Sequence, residues 1–200
     1  MDSEESVKLR KELYMNYVYH CSPIGGLIYI EPKISTHGKN WVYATKNKAI
    51  SLCFLQKWND YDINLSFNNE QYIEMTERLP NAFENIYKGK SGFLYYLDSA
   101  NFLEGQISFS PEVISEKKSR VIHCEVIDDC YEKLCEMENN SEITLFRYPS
   151  RPEYIPFDDS DLIEKAEYFL KSVKDKKGFI ERIIEKHPKL QDALLSLLDE

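Results

Sequence analysis

Long apolar runs are absent from this 200-residue sequence, and no segment approaches the roughly 18 consecutive apolar residues that a membrane-spanning helix requires. The opening segment MDSEESVKLRKEL is charged where a secretory signal would carry an apolar stretch. Both absences argue against membrane insertion and against secretion. We therefore expect a soluble, cytoplasmic protein without a membrane partner.

Arginine is scarce, and the charge balance is acidic. Six arginines are scattered along the chain, at positions 10, 78, 120, 147, 151 and 182, and the formal net charge at pH 7 is −9. Nucleic-acid binding draws most of its affinity from the neutralisation of phosphates by Lys and Arg. The composition therefore argues against an extended DNA- or RNA-binding surface, although a small local basic patch is compatible with it.

Paired cysteine motifs are missing as well. The chain has five cysteines, an odd count without a C-x-x-C spacing, at positions 21, 53, 124, 130 and 135. Their neighbours are apolar or helical, so we expect free, buried thiols and no disulfide framework. His123 and Glu125 share one face of a predicted strand, but Cys124 points to the other face. Cys130 and Cys135 lie five positions apart on a predicted helix, which does not suit a zinc site, and we predict no metal.

The apolar content is sufficient for a core. Hydrophobic residues make up 42% of the chain and aromatic residues 13%, which suits one globular domain or one domain with a small appendage. Alternating and helical apolar periods predict strands at 17–21, 41–45, 62–67, 71–76, 93–97, 121–127 and 143–148, with helices at 2–15, 80–87 and 129–138. This order predicts an α+β fold with a mixed or mostly antiparallel sheet and flanking helices.

A proline-rich stretch follows the last predicted strand and marks a boundary. It contains Pro149, Pro152 and Pro156, which interrupt both strand and helix. We therefore predict a domain over residues 1–150 and a C-terminal helical appendage over residues 151–200. About fifty residues are too few for a separate core, so the appendage should pack on the sheet or contact a protein partner.

The appendage has a strong amphipathic pattern. Its first helix carries apolar residues at helical spacing, namely Leu162, Ile163, Ala166, Phe169, Leu170 and Val173. Gly178 and Pro188 then divide the remaining chain into two further helical pieces, 179–186 and 189–198. These helices are the predicted contact surface for a protein partner.

The richest chemistry lies between residues 17 and 55. The segment Tyr-Val-Tyr-His-Cys predicts a short strand that ends at the turn residues Ser22-Pro23, so His20 lies at a strand end. The segment Trp-Val-Tyr-Ala-Thr predicts a second strand, which contains Tyr43. A mostly buried helix follows the second strand and ends near Trp58.

The order strand, loop, strand and helix, with Tyr-His-x-Ser in the first strand and Val-Tyr-Ala-Thr in the second, resembles the ADP-ribosyltransferase-like fold. The N-cap of the helix would be Thr45 or Asn47. The resemblance covers roughly residues 17–127. In the branch of this superfamily with a His–Tyr–Glu signature, the His holds the ribose of NAD and the Tyr stacks on nicotinamide. A Glu from a later strand assists cleavage of the glycosidic bond.

The resemblance implies a role for each matching residue. His20 and Tyr43 match the first two positions of the signature. Glu112, in the segment Ser-Pro-Glu-Val-Ile-Ser, matches the third and catalytic position, with Val113 where the family pattern has an aromatic residue. We expect His20 and Tyr43 to meet in one cleft.

Two neighbouring hydroxyls extend the implied site. Ser22 and Thr45 would bind the ribose or the carboxamide of NAD. NAD is the implied substrate, and the implied function is transfer of ADP-ribose to an unknown acceptor, or hydrolysis of NAD. Taken singly, the same residues also suit plain structural roles: a His bonded to a backbone carbonyl, a core Tyr and a solvated Glu.

Two other functions fit the same segment. A non-catalytic member of the fold would serve as a binding module, with the C-terminal helices as its contact surface. An RNA 2′-phosphotransferase shares the fold and a similar opening segment, but it needs several basic residues to hold phosphates. No set of arginines follows His20, and the net charge is −9, so this function ranks below ADP-ribosyl transfer.

Overall fold

A computed structural model describes residues 17–34, 38–67, 72–107 and 109–199 of the chain. In chain order, the strands are β1 (Tyr17–Ser22), β2 (Tyr29–Ile30), β3 (Lys33–Ile34), β4 (Asn40–Thr45), β5 (Ile63–Phe67), β6 (Ile73–Glu77), β7 (Gly92–Asp98), β8 (Glu112–Ser115), β9 (Ser119–Ile127) and β10 (Ile143–Phe146). The helices are α1 (Lys48–Cys53), α2 (Ala82–Tyr87), α3 (Cys130–Asn139), α4 (Asp161–Leu170), α5 (Lys176–Lys186) and α6 (Gln191–Ser196). The helix predicted at 2–15 lies outside the described residues.

The predicted α+β class is confirmed by this order of strands and helices. Nearly all strand pairs are antiparallel, and β10 pairs with β6 in parallel. Within the described ranges, no helix is both long and apolar enough to cross a membrane.

Contacts divide the chain into two compact units. The first consists of Met1–Gln56 and Tyr87–Glu136, and the second of Lys57–Ile86 and Met137–Glu200. This division differs from the predicted boundary at residue 150, because the segment that contains β5 and β6 groups with the C-terminal helices.

The first unit contains a seven-stranded sheet in the order β2–β9–β7–β1–β4–β3, with β8 paired to β4. Six register pairs join β1 to β7, from Tyr17↔Asp98 to Ser22↔Phe93. Only one register pair, Tyr19↔Thr45, joins β1 to β4. The ladder between β1 and β4 therefore stops just before His20, and residues from both strands line the site described below.

The core of the first unit follows from the alternation of strand side chains. Val18 pairs with Leu97, and Ala44 pairs with Val113, so each pair points to the same side of the sheet. All four side chains are at most 2% exposed, and they belong to one apolar cluster with Tyr95.

Helix α1 is also almost entirely buried. Asn47 is its N-cap, and the Asn47 Oδ1 accepts hydrogen bonds from the N–H groups of Ala49 at 2.8 Å and Ile50 at 3.4 Å. These bonds satisfy backbone donors that a helix start leaves without partners. At the other end, the Tyr87 hydroxyl donates to the Cys53 carbonyl at 2.9 Å. Of the two predicted caps, Asn47 is thus the residue that caps α1.

The second unit combines a three-stranded sheet, in the order β10–β6–β5, with the C-terminal helices. Helices α4, α5 and α6 bury one apolar cluster together with Tyr61, which precedes β5. Leu162 and Ala166 of this cluster are fully buried. The helices therefore pack against residues from the middle of the chain, which explains why the unit includes both segments.

The burial of Leu162 generates a stability prediction. Leu162→Ala should lower the free energy of unfolding by about 2–5 kcal/mol, because it removes buried methyl groups and leaves a cavity. Tyr168→Ala, on the same helix, is the control, since the Tyr168 side chain is 68% exposed. The control should change the free energy of unfolding by less than about 0.5 kcal/mol. Urea denaturation followed by circular dichroism measures both, and equal losses would contradict the packing of α4 described above.

Candidate functional site

The first unit contains a cavity of about 720 Å³. Its size falls within the range of roughly 300–1,000 Å³ that is usual for small-molecule sites. Strands β1 to β4, the start of β8 and nearby loops supply its lining: His20, Ser22, Leu27, Tyr29, Ile30, Glu31, Lys33, Ile34, Trp41, Val42, Tyr43, Phe54, Ile107, Phe109 and Glu112. Four of the five predicted site residues are in this lining, and His20 and Tyr43 share the cavity as predicted.

A short hydrogen bond fixes the orientation of the His20 ring. Its Nδ1 lies 2.7 Å from the backbone carbonyl oxygen of Tyr43. A carbonyl oxygen only accepts, so Nδ1 carries the proton and donates it. In the neutral ring, Nε2 is then an acceptor, able to receive a hydrogen bond from a ligand hydroxyl.

The surroundings of His20 favour the neutral ring. Burial lowers the pKa of His20 below 6.5, and this effect outweighs the hydrogen bond to Tyr43, which raises it. The positive charge of Lys33 lowers the pKa further. At neutral pH the imidazole is therefore uncharged, and Nε2 keeps its lone pair.

Ser22 supplies a hydroxyl to the same cavity. Its Oγ accepts a hydrogen bond from the Ile24 N–H at 3.2 Å. This bond uses a lone pair of the hydroxyl and leaves its O–H proton available for a ligand acceptor.

Tyr43 and Glu112 lie on neighbouring strands. In the antiparallel pair of β4 and β8, Thr45 is opposite Glu112 and Tyr43 is opposite Ile114. Tyr43 and Glu112 are therefore diagonal neighbours on one side of this pair. Burial and, after it, the negative charge of Glu112 raise the pKa of the Tyr43 phenol. A carboxylate thus lies close to an aromatic ring at the cavity.

Thr45 lies outside the described lining of the cavity. Its Oγ1 donates to the Asn47 carbonyl at 2.5 Å and accepts from the Asn47 N–H at 3.1 Å. The side chain is 4% exposed. The hydroxyl thus both donates and accepts a hydrogen bond within the turn before α1. The geometry therefore gives Thr45 a structural role in place of the predicted ligand contact.

Several lining residues were not predicted from the sequence. Trp41 lies two positions before Tyr43 on β4, and the two ring centroids are 6.1 Å apart. Side chains two positions apart on a strand point to the same side, so the sequence did carry a signal that Trp41 lies on the side of Tyr43. Phe54 and Phe109, with centroids 6.0 Å apart, come from separate loops. Lys33 is opposite Trp41 in the two-residue strand β3, and no local pattern pointed to it.

Thiolate chemistry does not suit this region. Burial raises the pKa of the Cys21 thiol, next to His20 in the chain, to about 12. Such a thiol stays protonated at neutral pH and is a poor nucleophile. All five cysteines are free thiols. Among the residues with described positions, no group of three or more His, Cys, Asp or Glu side chains could hold a metal ion.

Comparison of the chain with protein-family models, with curated proteins and with solved structures finds no match. The chemistry of the cavity is therefore inferred from its own residues. It combines a neutral imidazole acceptor, a hydroxyl donor, aromatic faces and one carboxylate beside a Tyr ring. Such a set can bind a polar ring compound and stabilise a positive charge that develops on it.

The buried position of His20 generates a titration prediction. The NMR resonances of the His20 ring should titrate with a midpoint below 6.5. Below that pH the unfolded chain takes up the proton before the folded chain does, so this group makes folding stability fall as the pH decreases. His20→Gln identifies the resonance and should remove this part of the acid sensitivity. A midpoint at or above 6.5 would contradict the buried, neutral ring.

Proposed function

We propose that the chain is an NAD-binding protein of the ADP-ribosyltransferase-like type, which transfers ADP-ribose from NAD to an acceptor or to water. The observation that carries this proposal is the shared cavity of His20, Ser22, Tyr43 and Glu112. These residues lie on three strands, and more than ninety positions of sequence separate the first from the last. They match the His–Tyr–Glu signature in type and in order.

Cleavage of NAD makes specific demands on a site. The bond between the ribose C1′ and the nicotinamide nitrogen breaks, and its electron pair leaves with nicotinamide. Positive charge then develops on the ribose, and a nearby carboxylate lowers the barrier by stabilising that charge. The acceptor attacks C1′ and loses a proton. Glu112 is the one catalytic carboxylate that the signature assigns here.

The remaining residues serve binding in this proposal. The Tyr43 ring stacks on nicotinamide, and His20 Nε2 accepts a hydrogen bond from a ribose hydroxyl. The Ser22 O–H donates to the carboxamide or to the ribose. The aromatic and aliphatic lining, including Trp41 and Phe54, offers apolar surface to the nicotinamide ring.

The antiparallel sheet of the first unit supports the proposed fold type. Strand β1 with His20, strand β4 with Tyr43 and a buried helix directly after β4 follow one another in the chain, in the order of the ADP-ribosyltransferase-like arrangement. The proposed third signature residue, Glu112, begins strand β8, and β8 pairs with β4, the strand that contains Tyr43. This pairing makes Glu112 a diagonal neighbour of Tyr43, which supports the proposal.

RNA 2′-phosphotransfer has less support. Among the described lining residues, Lys33 is the one Lys or Arg, whereas that reaction needs several cations for phosphates. A non-catalytic NAD-binding module remains the second candidate, because Val113 stands where the family pattern has an aromatic residue. Measurements of binding and of turnover on the same variants separate it from an enzyme.

Glu112→Gln tests the catalytic assignment. The amide keeps the shape of the carboxylate but lacks its negative charge, so NAD affinity should persist while nicotinamide release falls about 10²-fold or more. Release is followed by chromatography, and affinity by calorimetry.

Glu104→Gln is the matched control, since Glu104 pairs with Lys46 at 2.6 Å on the surface and lies outside the described lining. Unchanged release in the Glu112 variant overturns the assignment, and a loss in the Glu104 variant moves it to that carboxylate. Binding of NAD without release from the wild type, with any acceptor, identifies the non-catalytic module.

His20→Ala tests the binding role. Loss of a hydrogen bond from a ribose hydroxyl should weaken NAD binding by about tenfold. His123→Ala, at an exposed position on β9, is the control and should bind NAD as the wild type does. Calorimetry at pH 7.5 compares the three proteins, and equal affinity in all three would exclude His20 as an NAD ligand.

A further inference from the structure

The second unit contains a smaller cavity with a basic lining. It has a volume of about 270 Å³, and its lining includes His187 and the charged residues Arg78, Arg151, Asp159, Lys186 and Lys189. We call it the basic cavity. It plays no part in the function proposed above.

One carboxylate in the basic cavity contacts several cations. Asp159 Oδ1 accepts from Arg78 Nη1 at 3.2 Å and from Arg151 Nη1 at 2.7 Å. Its Oδ2 lies 2.9 Å from Lys189 Nζ. Asp159 and the Arg78 and Arg151 side chains are at most 3% exposed.

The direct ion pairs leave an excess of positive charge. Arg78 also pairs with Asp161 at 2.5 Å, so the three cations Arg78, Arg151 and Lys189 contact two carboxylates. Lys186 is balanced by Asp62 at 2.5 Å. One net positive charge therefore remains among the paired groups. Asp158 also interacts electrostatically with Lys189, but Asp158 is fully exposed to water, which screens its charge.

Two buried donors of the basic cavity have no hydrogen-bond partner among the described residues. These are the Nε atoms of Arg78 and Arg151. A buried donor without an acceptor is destabilising, and native structures contain few of them. Among the described residues, Arg151 donates hydrogen bonds through Nη1, to the Pro156 carbonyl at 2.6 Å and to Asp159. The edge formed by its Nε and Nη2, which is the edge that binds oxyanions in a bidentate manner, is unused within the described residues.

We infer that the basic cavity binds a phosphate group, with Arg151 and Lys189 as its principal contacts. An oxyanion there neutralises the excess charge and offers acceptors to the unused arginine edge. The volume accommodates a phosphate monoester and is too small for a dinucleotide. Tyr148 and Phe157, 44% and 72% exposed, also line the cavity. The Arg151 guanidinium lies over the Phe157 ring, 5.4 Å from its centroid, so Tyr148 is the aromatic side chain that offers a face to a ring attached to the phosphate.

Calorimetry on the full chain tests this site with inorganic phosphate and with AMP as separate probes, in chloride buffer of matched ionic strength. Both probes should bind to the wild type. Lys189→Ala, at a half-exposed position, should weaken both by about tenfold, because a charge-assisted hydrogen bond is lost. Arg151→Lys retains the charge but loses the bidentate edge, and it should weaken binding by a similar factor.

Lys177→Ala is the matched control in the same unit, because Lys177 is exposed and pairs with Glu181 on the surface of α5. It should bind phosphate as the wild type does. AMP binding without phosphate binding would locate the affinity in the ring and not in the oxyanion, which overturns the inference. Binding of neither probe, or equal losses in the Lys177 and Lys189 variants, also overturns it and leaves the cluster as a structural ion network. The NAD measurements on Glu112 variants are independent of these results.

Discussion

The hydrogen bond from His20 Nδ1 to the Tyr43 carbonyl is the contact on which the geometry of the larger cavity depends. It spans the place where β1 and β4 stop pairing after Tyr19↔Thr45, so a side chain joins the strands where backbone bonds end. The same bond sets the tautomer of the ring, and burial keeps the ring neutral. One interaction therefore determines the opening between the strands, the orientation of the imidazole and the acceptor that faces a ligand.

The two units hold polar groups in opposite ways. The larger cavity surrounds a few polar side chains with aromatic and aliphatic ones. The second unit buries charges, and Asp159 is stabilised by Arg78, Arg151 and Lys189. Removing one partner from such a network leaves an uncompensated buried charge, which costs more than the intact network contributes. The network thus fixes the position of the proline-rich segment within its unit.

Local signals in the sequence were accurate where a single rule applied and failed where two rules competed. Alternation located the strands of His20 and Tyr43. Gly178 was predicted to divide two helices, because glycine disfavours helix interiors. Instead α5 begins at Lys176, and the Gly178 N–H donates to Asp175 Oδ1 at 3.0 Å in the first turn. A Cβ at this position would come within 2.2 Å of Asp175 Oδ2, so a larger residue here would displace the Asp175 carboxylate from its present position at the cap.

The sequence by itself determined the α+β class and the two strands that carry His20 and Tyr43, because apolar period and turn residues act over a few neighbouring positions. It placed His20 at the end of its strand, whereas β1 continues to Ser22 through its pairing with β7. Only the tertiary structure decided that the Thr45 hydroxyl belongs to a turn, that the ladder of β1 and β4 stops after one pair, and that residues 57–86 join the C-terminal helices. These outcomes depend on partners far apart in the chain. His20 and Tyr43 are 23 positions apart, and Arg78 and Asp159 are 81 positions apart. A local pattern indicates which side chains face the core or the solvent, but the packing of the whole unit decides which distant residue each side chain contacts.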